Sequence, residues 1–440
     1  MLFRLPAAGL ACALSVPLLG PFPHHTARRL PAGTVELHAP ILVGPDSDLL
    51  GAPAGTVLHL APDFQGRAAV VVSGDRVTLR DFTIDGNRAA LEIRAGLPPA
   101  NVAFAQFTSA NGILADAVAG LTVERIACRN IAGFAVLVSR ARSVLIRGVT
   151  VADSGSRNAL GRNNGTGGIL LEEGTADFTV TGCTLERVRG DGIWTHSLYT
   201  SPRNARGVIT LNRFRELARD AILIGHSTRI RVTHNTGSRI GFPAAEVDIE
   251  NGATPVALDT SGNVDESSYS ENRFDDIDGK CVDLDGFHDG EVRANQCVNP
   301  AGFASYPFGH YGIVMNNANP DMRSQNIRIT DNLIDGTLFG GIFVIGSGHT
   351  IARNRLLHLD ASHCNENTAH YGCFDIAADP QLLEAGIYLG RGAGFPAPAQ
   401  HNLIEDNRIT GFKMQSHCII AASGVDAKAN TIRNNVCLDQ

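Results

Sequence analysis

The stretch Ile329-Thr-Asp-Asn-Leu-Ile334 carries the pattern that decides the fold, because its spacing returns along much of the chain. An apolar residue is followed three positions later by Asn, and a second apolar residue stands two positions beyond that Asn. Repetition of one short pattern indicates a solenoid, in which each repeat stacks on the next. Further copies are Ile209–Asn212–Phe214, Val292–Asn295–Cys297, Ile351–Asn354–Leu356, Ile404–Asn407–Ile409 and Ile432–Asn435–Cys437, with Asn235 and Asn272 in weaker contexts.

A second pattern lies between successive copies of the first and predicts a short strand. A small residue precedes two apolar residues that flank a variable one, and a polar residue follows, as in Gly192-Ile-Trp-Thr-His196 and Gly312-Ile-Val-Met-Asn316. Such alternation over a few residues is typical of strands. We therefore expect an all-β chain of about a dozen coils, whose strands pair in parallel from coil to coil. The repeated Asn side chains should stack in an asparagine ladder.

Composition excludes several other classes of protein. The 440 residues include 37 Lys and Arg against 44 Asp and Glu, and the formal net charge is −7. Hydrophobic residues make up 44% of the chain and charged residues 18%. A nucleic-acid-binding protein would show a basic stripe, and a disordered chain would be poorer in apolar residues. We expect no nucleic-acid partner and no membrane span, while the oligomeric state stays open.

The N-terminus has the features of a targeting segment. Arg4 precedes an apolar run from Leu5 to Leu19, which has the length of a signal-peptide core. We expect residues 1–28 to be a signal peptide and residues 29–440 to form one β-helix domain. The protein would then be secreted or periplasmic.

The cysteines fit an oxidising compartment, because eight remain once Cys12 is removed with the leader. Cys281 and Cys297 occupy repeat positions equivalent to those of Cys418 and Cys437, so two similar disulfides are expected. We also expect a disulfide between Cys364 and Cys373. Cys128 and Cys183 are expected to be reduced, buried thiols.

The repeats resemble those of right-handed parallel β-helices of the pectate-lyase-like (pectin-lyase-like) superfamily. Leu30-Pro-Ala-Gly-Thr34 and Asp81-Phe-Thr-Ile-Asp-Gly-Asn87 are similar to the opening coils of that superfamily. The likeness extends from these residues to the C-terminus. It implies a right-handed solenoid whose outer face binds or processes a polysaccharide, and it does not specify the sugar.

Alternation along the strands assigns side chains to the outer face. If Leu284 points inward, Asp283 and Asp285 point outward. Alignment of the preceding coil places Ala257 beside Asp283 and Asp259 beside Asp285, about 5 Å apart. Three carboxylates this close cannot all ionise freely. At least one pKa should therefore rise, as a general acid requires.

The resemblance also implies roles for these residues. Polygalacturonase-like glycosidases carry an Asp on one coil, an Asp pair on the next and Gly-His-Gly on the one after. Leu258-Asp-Thr260 is similar to the first motif, and Asp283-Leu-Asp285 resembles the second with one residue inserted. Gly309-His-Tyr-Gly312 is similar to the third and brings His310 to the site. A glycoside hydrolase without a cofactor is implied, with Asp259, Asp283 and Asp285 as acid and base. Substrate contacts are expected from Glu172, Trp194, His196, His226 and Asn316.

Two alternatives stay open. Polysaccharide lyases on this fold pair a basic residue with Ca²⁺ held by Asp, and Lys280 lies close in sequence to Asp283, Asp285 and Asp289. A Ca²⁺-assisted uronate lyase or epimerase would use Lys280 as the base, with its pKa lowered by nearby cations. The other alternative is a carbohydrate-binding or surface structural β-helix that catalyses nothing.

Overall fold

Short alternating segments give the chain its architecture, because each coil turns at polar or glycine residues and places a new strand beside the previous one. The computed structural model describes residues 25–92, 94, 96–248, 254–301, 305–309, 311–363 and 381–440. The named strands pair in parallel throughout and form one sheet of 14 strands and one of 29. This is the all-β solenoid that the repeats predict.

The smaller sheet contains one strand from each coil. Its strands are Gly33–Leu37, Thr56–Leu60, Thr83–Asp85, Ala127–Arg129, Thr150–Ala152, Thr184–Val188, Arg213–Leu217, Thr236–Ile240, Arg273–Ile277, Gln296–Val298, Leu333–Asp335, Arg355–Leu359, Arg408–Gly411 and Val436–Asp439.

The larger sheet consists of two ribbons of stacked strands, and the first of them is called the outer ribbon below. The outer ribbon contains Ile41–Val43, Ala68–Val72, Asn111–Asp116, Val136–Ser139, Ile169–Glu172, Ile193–His196, Ile222–Thr228, Val256–Asp265, Lys280–Asp285, Ile313–Asn316, Ile342–Val344, Ile387–Leu389 and Ile419–Ala421.

The second ribbon completes the larger sheet. It contains Thr26–Arg29, Ser47–Leu50, Val77–Arg80, Ala119–Glu124, Arg142–Arg147, Ala176–Thr181, Asn204–Ala205, Val208–Thr210, Arg231–Thr233, Ser268–Ser270, Phe287–His288, Glu291–Arg293, Arg328–Thr330, Thr350–Ala352, Leu403–Glu405 and Thr431–Arg433. Helical segments in the described residues are short: Arg88–Leu91, Phe104–Phe107 and Gln381–Glu384, with 3₁₀ turns at Ala244–Glu246 and Ala427–Ala429. None of them is long and apolar enough to cross a membrane.

The repeated asparagines form a continuous column of hydrogen-bonded amides inside the coils. Asn212 Nδ2 donates to Asn235 Oδ1 at 3.0 Å, and Asn235 Nδ2 donates to Asn272 Oδ1 at 2.9 Å. Each amide also donates to a backbone carbonyl, as Asn212 does to Val180. The buried polar groups are therefore paired while the turns between strands are held in register. The column continues through Asn295, Asn332, Asn354, Asn407 and Asn435.

Two of the expected disulfides are present. Cys281 bonds Cys297 with a Cα–Cα distance of 5.9 Å, and Cys418 bonds Cys437 at 5.7 Å. The expectation of free, buried thiols at Cys128 and Cys183 is also confirmed. The proposed Cys364–Cys373 bridge lies outside the described residues, as do residues 1–24 of the expected signal peptide. The described end of that segment enters the first strand, Thr26–Arg29, which pairs with Ser47–Leu50.

Candidate functional site

One outward-facing column of the outer ribbon changes character in the middle of the molecule. In the N-terminal coils it is apolar, and the helix Phe104–Phe107 covers it. Phe104 packs against Phe134 and Trp194, with ring centroids 5.4 and 4.8 Å apart. In the C-terminal coils it is apolar again, under a cluster that includes Phe339. Between the two covered stretches the column turns acidic. Its members run Leu114, Leu137, Leu170, Trp194, Leu223, Asp259, Asp283, Val314, Phe343 and Tyr388.

The position of Asp259 corrects the alignment predicted from the sequence. Leu258 pairs with Val282, so Asp259 lies directly beside Asp283 rather than beside Asp285. Ala257, which was expected next to Asp283, is fully buried. The error is a slip of two residues, and such a slip keeps every side chain on its predicted face. Alternation therefore gave the correct face and could not give the correct neighbour.

Asp283 is held by the one lysine of this strand. Lys280 Nζ donates to Asp283 Oδ2 at 2.6 Å, and both side chains are largely buried. The other carboxylate oxygen, Asp283 Oδ1, has no hydrogen-bond partner among the described residues. Burial lowers the pKa of Lys280. The charges of Asp283, Asp259 and Asp220 raise it by more, so the net pKa lies above the usual value. Lys280 is thus an ammonium at neutral pH.

Asp259 has the properties expected of a protonated carboxyl. Burial raises its pKa well above the ordinary value, and the charges of Asp220 and Asp283 raise it further. Lys280 and Arg219 act in the opposite direction but are outweighed. The predicted rise in a carboxyl pKa is therefore present, and it falls on the residue that sits between two other carboxylates.

Asp285 lies two residues along the same strand as Asp283 and also titrates above its usual range. Burial raises its pKa to about 6, the charge of Asp283 adds to the rise, and a hydrogen bond from the Ala318 backbone N–H opposes it. That N–H lies 3.1 Å from Asp285 Oδ1. Asn316 pairs with Asp285 on the next strand, as predicted, and its Oδ1 accepts a hydrogen bond from the Asn317 N–H at 2.8 Å.

Behind Asp259 lies a group of buried charges that the sequence analysis missed. Arg219 Nη1 donates to Asp191 Oδ2 at 2.8 Å, and Asp220 Oδ1 accepts from the Val256 N–H at 2.8 Å. The Asp220 charge acts on the carboxyl groups of Asp191 and Asp259, and Asp220 Oδ2 has no hydrogen-bond partner among the described residues. Burial raises the pKa of Asp191 to about 8 and also raises that of Asp220.

A sequence signal for these residues exists. Asp191-Gly192 and Asp220-Ala221 occupy the same place in neighbouring coils, where an acidic residue directly precedes the small residue before an outer strand. Two carboxyl groups in equivalent turns are unlike a random surface distribution, because buried acids are rare unless they are paired. Attention to the turn rather than to the strand would have identified Asp191 and Asp220.

Two predicted substrate contacts are buried instead. Glu172 has no exposed surface, and its carboxylate accepts hydrogen bonds from the backbone N–H groups of Phe104 at 2.9 Å and Ala105 at 2.8 Å. Burial raises its pKa to about 7. Trp194 is 7% exposed and packs under the same helix. Both face outward from the coil, as predicted, but the segment carrying Phe104 covers them and removes them from solvent.

The predicted histidines have different environments. His196 lies against Phe104 and Trp194, and burial lowers its pKa to about 4. His226 is half-buried, its ring lies 4.8 Å from that of Tyr199, and burial lowers its pKa as well. Neither Nδ1 atom has a hydrogen-bond partner among the described residues. His310 lies outside those residues.

One group of possible metal ligands occurs in the described part of the chain: Glu172, Glu173 and His196, whose ligand atoms lie within 4.8 Å of one another. The carboxylates already have structural partners, since Glu172 binds the helix Phe104–Phe107 and Glu173 accepts from the Leu198 N–H at 2.9 Å. The cluster is therefore explained by these bonds. Asp289, which was considered as a Ca²⁺ ligand, instead accepts from Asn326 Nδ2 at 2.7 Å.

Comparison with known proteins agrees with this architecture. The sequence model of the right-handed β-helix region matches residues 67–264. No curated protein sequence matches the chain. Similar solved structures include PfbA, a surface adhesin of Streptococcus pneumoniae, with a TM-score of 0.56, 12% identity and coverage of 76% of this chain and 84% of that one.

Two enzymes on the same fold are also similar in structure. A hyperthermoactive exopolygalacturonase from Thermotoga maritima gives a TM-score of 0.53 at 12% identity, over 76% of this chain and 84% of that one. DFA-IIIase from Arthrobacter chlorophenolicus A6 in complex with GF2 gives 0.52 at 16% identity, over 93% of this chain and 87% of that one. From its repeats, its strand pairing and these likenesses, the chain has the fold of a right-handed parallel β-helix.

Proposed function

We propose that the chain is a secreted or periplasmic glycoside hydrolase that cleaves a polysaccharide at the pair formed by Asp259 and Asp283. The observation that carries the proposal is the direct pairing of these two carboxyl groups across neighbouring coils. They lie in the stretch of the outer column between the two apolar clusters, where Asp259 is partly exposed and Asp283 is 7% exposed. One is held by the Lys280 ammonium and the other is backed by the buried Asp220.

The two environments assign the two roles. Asp259 retains its proton to a high pH, so it acts as the general acid that protonates the leaving-group oxygen. Asp283 has the Lys280 ammonium on one oxygen, and its second oxygen is buried and unpartnered, so that oxygen has no hydrogen bond to give up when it attacks the sugar. Neighbouring parallel strands are about 4.8 Å apart, close to the ~5–5.5 Å carboxyl spacing of retaining glycosidases. The reaction is therefore expected to retain the anomeric configuration.

The known proteins on this fold support a carbohydrate-related role without defining it. Two of the similar structures are named as enzymes, an exopolygalacturonase and a DFA-IIIase, and a third is a surface adhesin. The adhesin is compatible with the alternative of a non-catalytic surface β-helix. The buried acid cluster favours the enzyme, since perturbed carboxyl pKa values in a groove are typical of catalytic sites.

The lyase alternative has less support. Its base would be a neutral Lys280, but the carboxylates around this side chain raise its pKa above the usual value. Among the described residues, the charges that act most strongly on Lys280 are those of Asp283, Asp259 and Asp220, which raise its pKa. Lys280 instead positions the Asp283 carboxylate.

A polysaccharide panel assayed in two ways tests the proposal. We expect at least one substrate to release reducing ends without any rise in ultraviolet absorbance, because hydrolysis creates no double bond. Chelation with EDTA should leave the rate unchanged. Products that absorb in the ultraviolet would replace the hydrolase by a lyase, and binding without any product would favour the structural alternative.

The pH profile should respond to Asp220→Asn. The Asp220 charge raises the pKa of Asp259, so its removal should lower that pKa and move the alkaline limb of kcat/KM to lower pH. The sign follows from the acid being active only when protonated. Asp278→Asn is the control, because Asp278 is a carboxyl with a raised pKa in the turn before the strand Lys280–Asp285 and accepts from the Phe308 N–H. An unchanged limb in Asp220→Asn would remove Asp259 from the acid role.

A further inference from the structure

An exposed aromatic side chain stands near Asp285. Tyr199 is 57% exposed, in the loop that follows the outer strand Ile193–His196. Its ring is nevertheless fixed from two sides. The His226 ring contacts it edge-on at a centroid distance of 4.8 Å, and Asn319 Nδ2 donates to its hydroxyl at 3.1 Å. Tyr199 and Asn319 are 120 residues apart in sequence, so this bond ties two separate loops together.

The Tyr199 hydroxyl lies over the backbone at Gly262. A Cβ atom on Gly262 would lie 3.7 Å from that hydroxyl and 3.5 Å from the His226 nitrogen, which are ordinary contact distances. Gly262 in turn lies against Gly286, where a Cβ would be 2.4 Å from the Gly262 carbonyl oxygen. Gly286 directly follows Asp285 in the chain, so the backbone under Tyr199 contacts the backbone next to Asp285.

The same loop pair reaches Asp285 directly. Ala318 donates its backbone N–H to Asp285 Oδ1 at 3.1 Å, and the next residue is the Asn319 that holds Tyr199. The ring, the loop and the carboxylate are therefore linked by direct hydrogen bonds. A ring held this way loses little conformational entropy when a ligand stacks on it.

The charges around the ring indicate which ligand it accepts. The carboxylates of Asp285 and Asp321 act on Tyr199, and those of Asp321 and Glu173 act on His226. The Arg203 charge also acts on His226, but the Arg203 guanidinium forms an ion pair with Asp265 at 3.0 Å. A uronate ring would bring another carboxylate into this region and be repelled. An uncharged ring can stack its C–H face on the aromatic side chain and donate its hydroxyls to the carboxylates.

We propose that Tyr199 and His226 form a binding subsite for an uncharged sugar ring next to Asp285, which makes the substrate a neutral polysaccharide rather than a polyuronide. The inference rests on the proposed hydrolase function, since it specifies the substrate class of the same groove. It goes beyond the polygalacturonase-like expectation by excluding the uronate ring at this position.

Binding can be measured apart from catalysis. Calorimetric titration of Asp283→Asn would use three sets of probes: neutral xylo-, cello- and fructo-oligosaccharides, oligogalacturonates, and glucosamine oligomers. We expect a neutral oligosaccharide to bind most tightly, and the further change Tyr199→Ala to weaken it roughly ten-fold, while Tyr199→Phe stays within about three-fold because the stacking ring is kept. Leu211→Ala is the control. Leu211 is 60% exposed and lies in the turn between the strands Val208–Thr210 and Arg213–Leu217, neither of which belongs to the outer ribbon.

The outcomes separate the two proposals. Tightest binding of a uronate or glucosamine oligomer, equal binding by Tyr199→Ala, or no binding to any probe would overturn the subsite. Neutral binding that depends on Tyr199, together with no hydrolysis by the unmodified protein, would keep the subsite and overturn the hydrolase. If hydrolysis is found, Tyr199→Ala should raise KM about ten-fold with little change in kcat.

Discussion

Asp283→Asn is expected to lower the rate of hydrolysis by roughly 10²–10⁴-fold while the protein stays folded. The amide keeps the shape of the carboxylate and an oxygen that can accept from Lys280 at the position now bonded at 2.6 Å. What it loses is the negative charge that attacks the sugar. Initial rates on the substrate found in the panel measure the effect, and circular dichroism with thermal melting reports on the fold.

Asp259→Asn should cause a loss of similar size, because the amide has no proton of suitable acidity for the leaving group. The double variant should be little slower than either single variant, since the two groups act in one step. Asp289→Asn is the matched control, as Asp289 lies four residues beyond Asp285 and bonds Asn326 at a coil corner. If Asp283→Asn retained more than a tenth of the activity, the catalytic pair would be wrongly assigned.

The stereochemical outcome checks the same assignment independently. Retention of configuration, followed by NMR of the first products, is expected from the neighbouring Asp259 and Asp283. Inversion would move the second role to Asp285, which lies roughly 8 Å from Asp259 when strand spacing and rise per residue are combined. In that case Asp285→Asn would be the variant that loses activity, and Asp283 would serve to position its neighbours.

The fold could be predicted from the sequence because the repeat is short and recurs many times. The spacing around Asn332 recurs in many coils, so an irregular coil does not obscure the pattern. Inward and outward directions follow from alternation within single strands: Val282 and Leu284 are fully buried, as expected, and Asp285 is partly exposed. The disulfides could be paired because Cys281 and Cys418 occupy equivalent repeat positions. These inferences need only neighbours in sequence or in the repeat.

The inferences that failed depend on contacts between distant parts of the chain. Glu172 and Trp194 point outward, but the segment around Phe104 lies over them, and nothing in the strand pattern predicts where that segment goes. The predicted partner of Asp259 was wrong by two residues, because the insertion before Val256 hides where the coil begins. Tyr199 was not considered because it lies in a loop, and its position depends on Asn319 in another loop.

Asn272→Ala is expected to have the largest effect on stability, lowering the free energy of unfolding by about 2–4 kcal/mol. Its Oδ1 accepts from both the backbone N–H and the side-chain Nδ2 of Asn235, each near 3.0 Å. Its Nδ2 donates to the Val232 carbonyl at 3.0 Å and to Asn295 Oδ1 at 2.9 Å. The substitution leaves these buried groups without their partner. Urea unfolding followed by circular dichroism measures the change.

Asn435→Ala is the control because Asn435 ends the same column and is half-buried. It accepts from Asn407 Nδ2 at 2.9 Å, as the inner residues do, but solvent can replace that bond. We expect a loss of about 1 kcal/mol or less there. Equal losses at the two positions would show that the amide column gains nothing from burial.

In a solenoid each coil is stabilised by its neighbours, so a break at Asn272 should destabilise the coils that carry Asp259 and Asp283 on either side of it. We expect hydrogen exchange in those coils to be slow in the wild type and faster in Asn272→Ala. Exchange in the coils near Gly33 should change little.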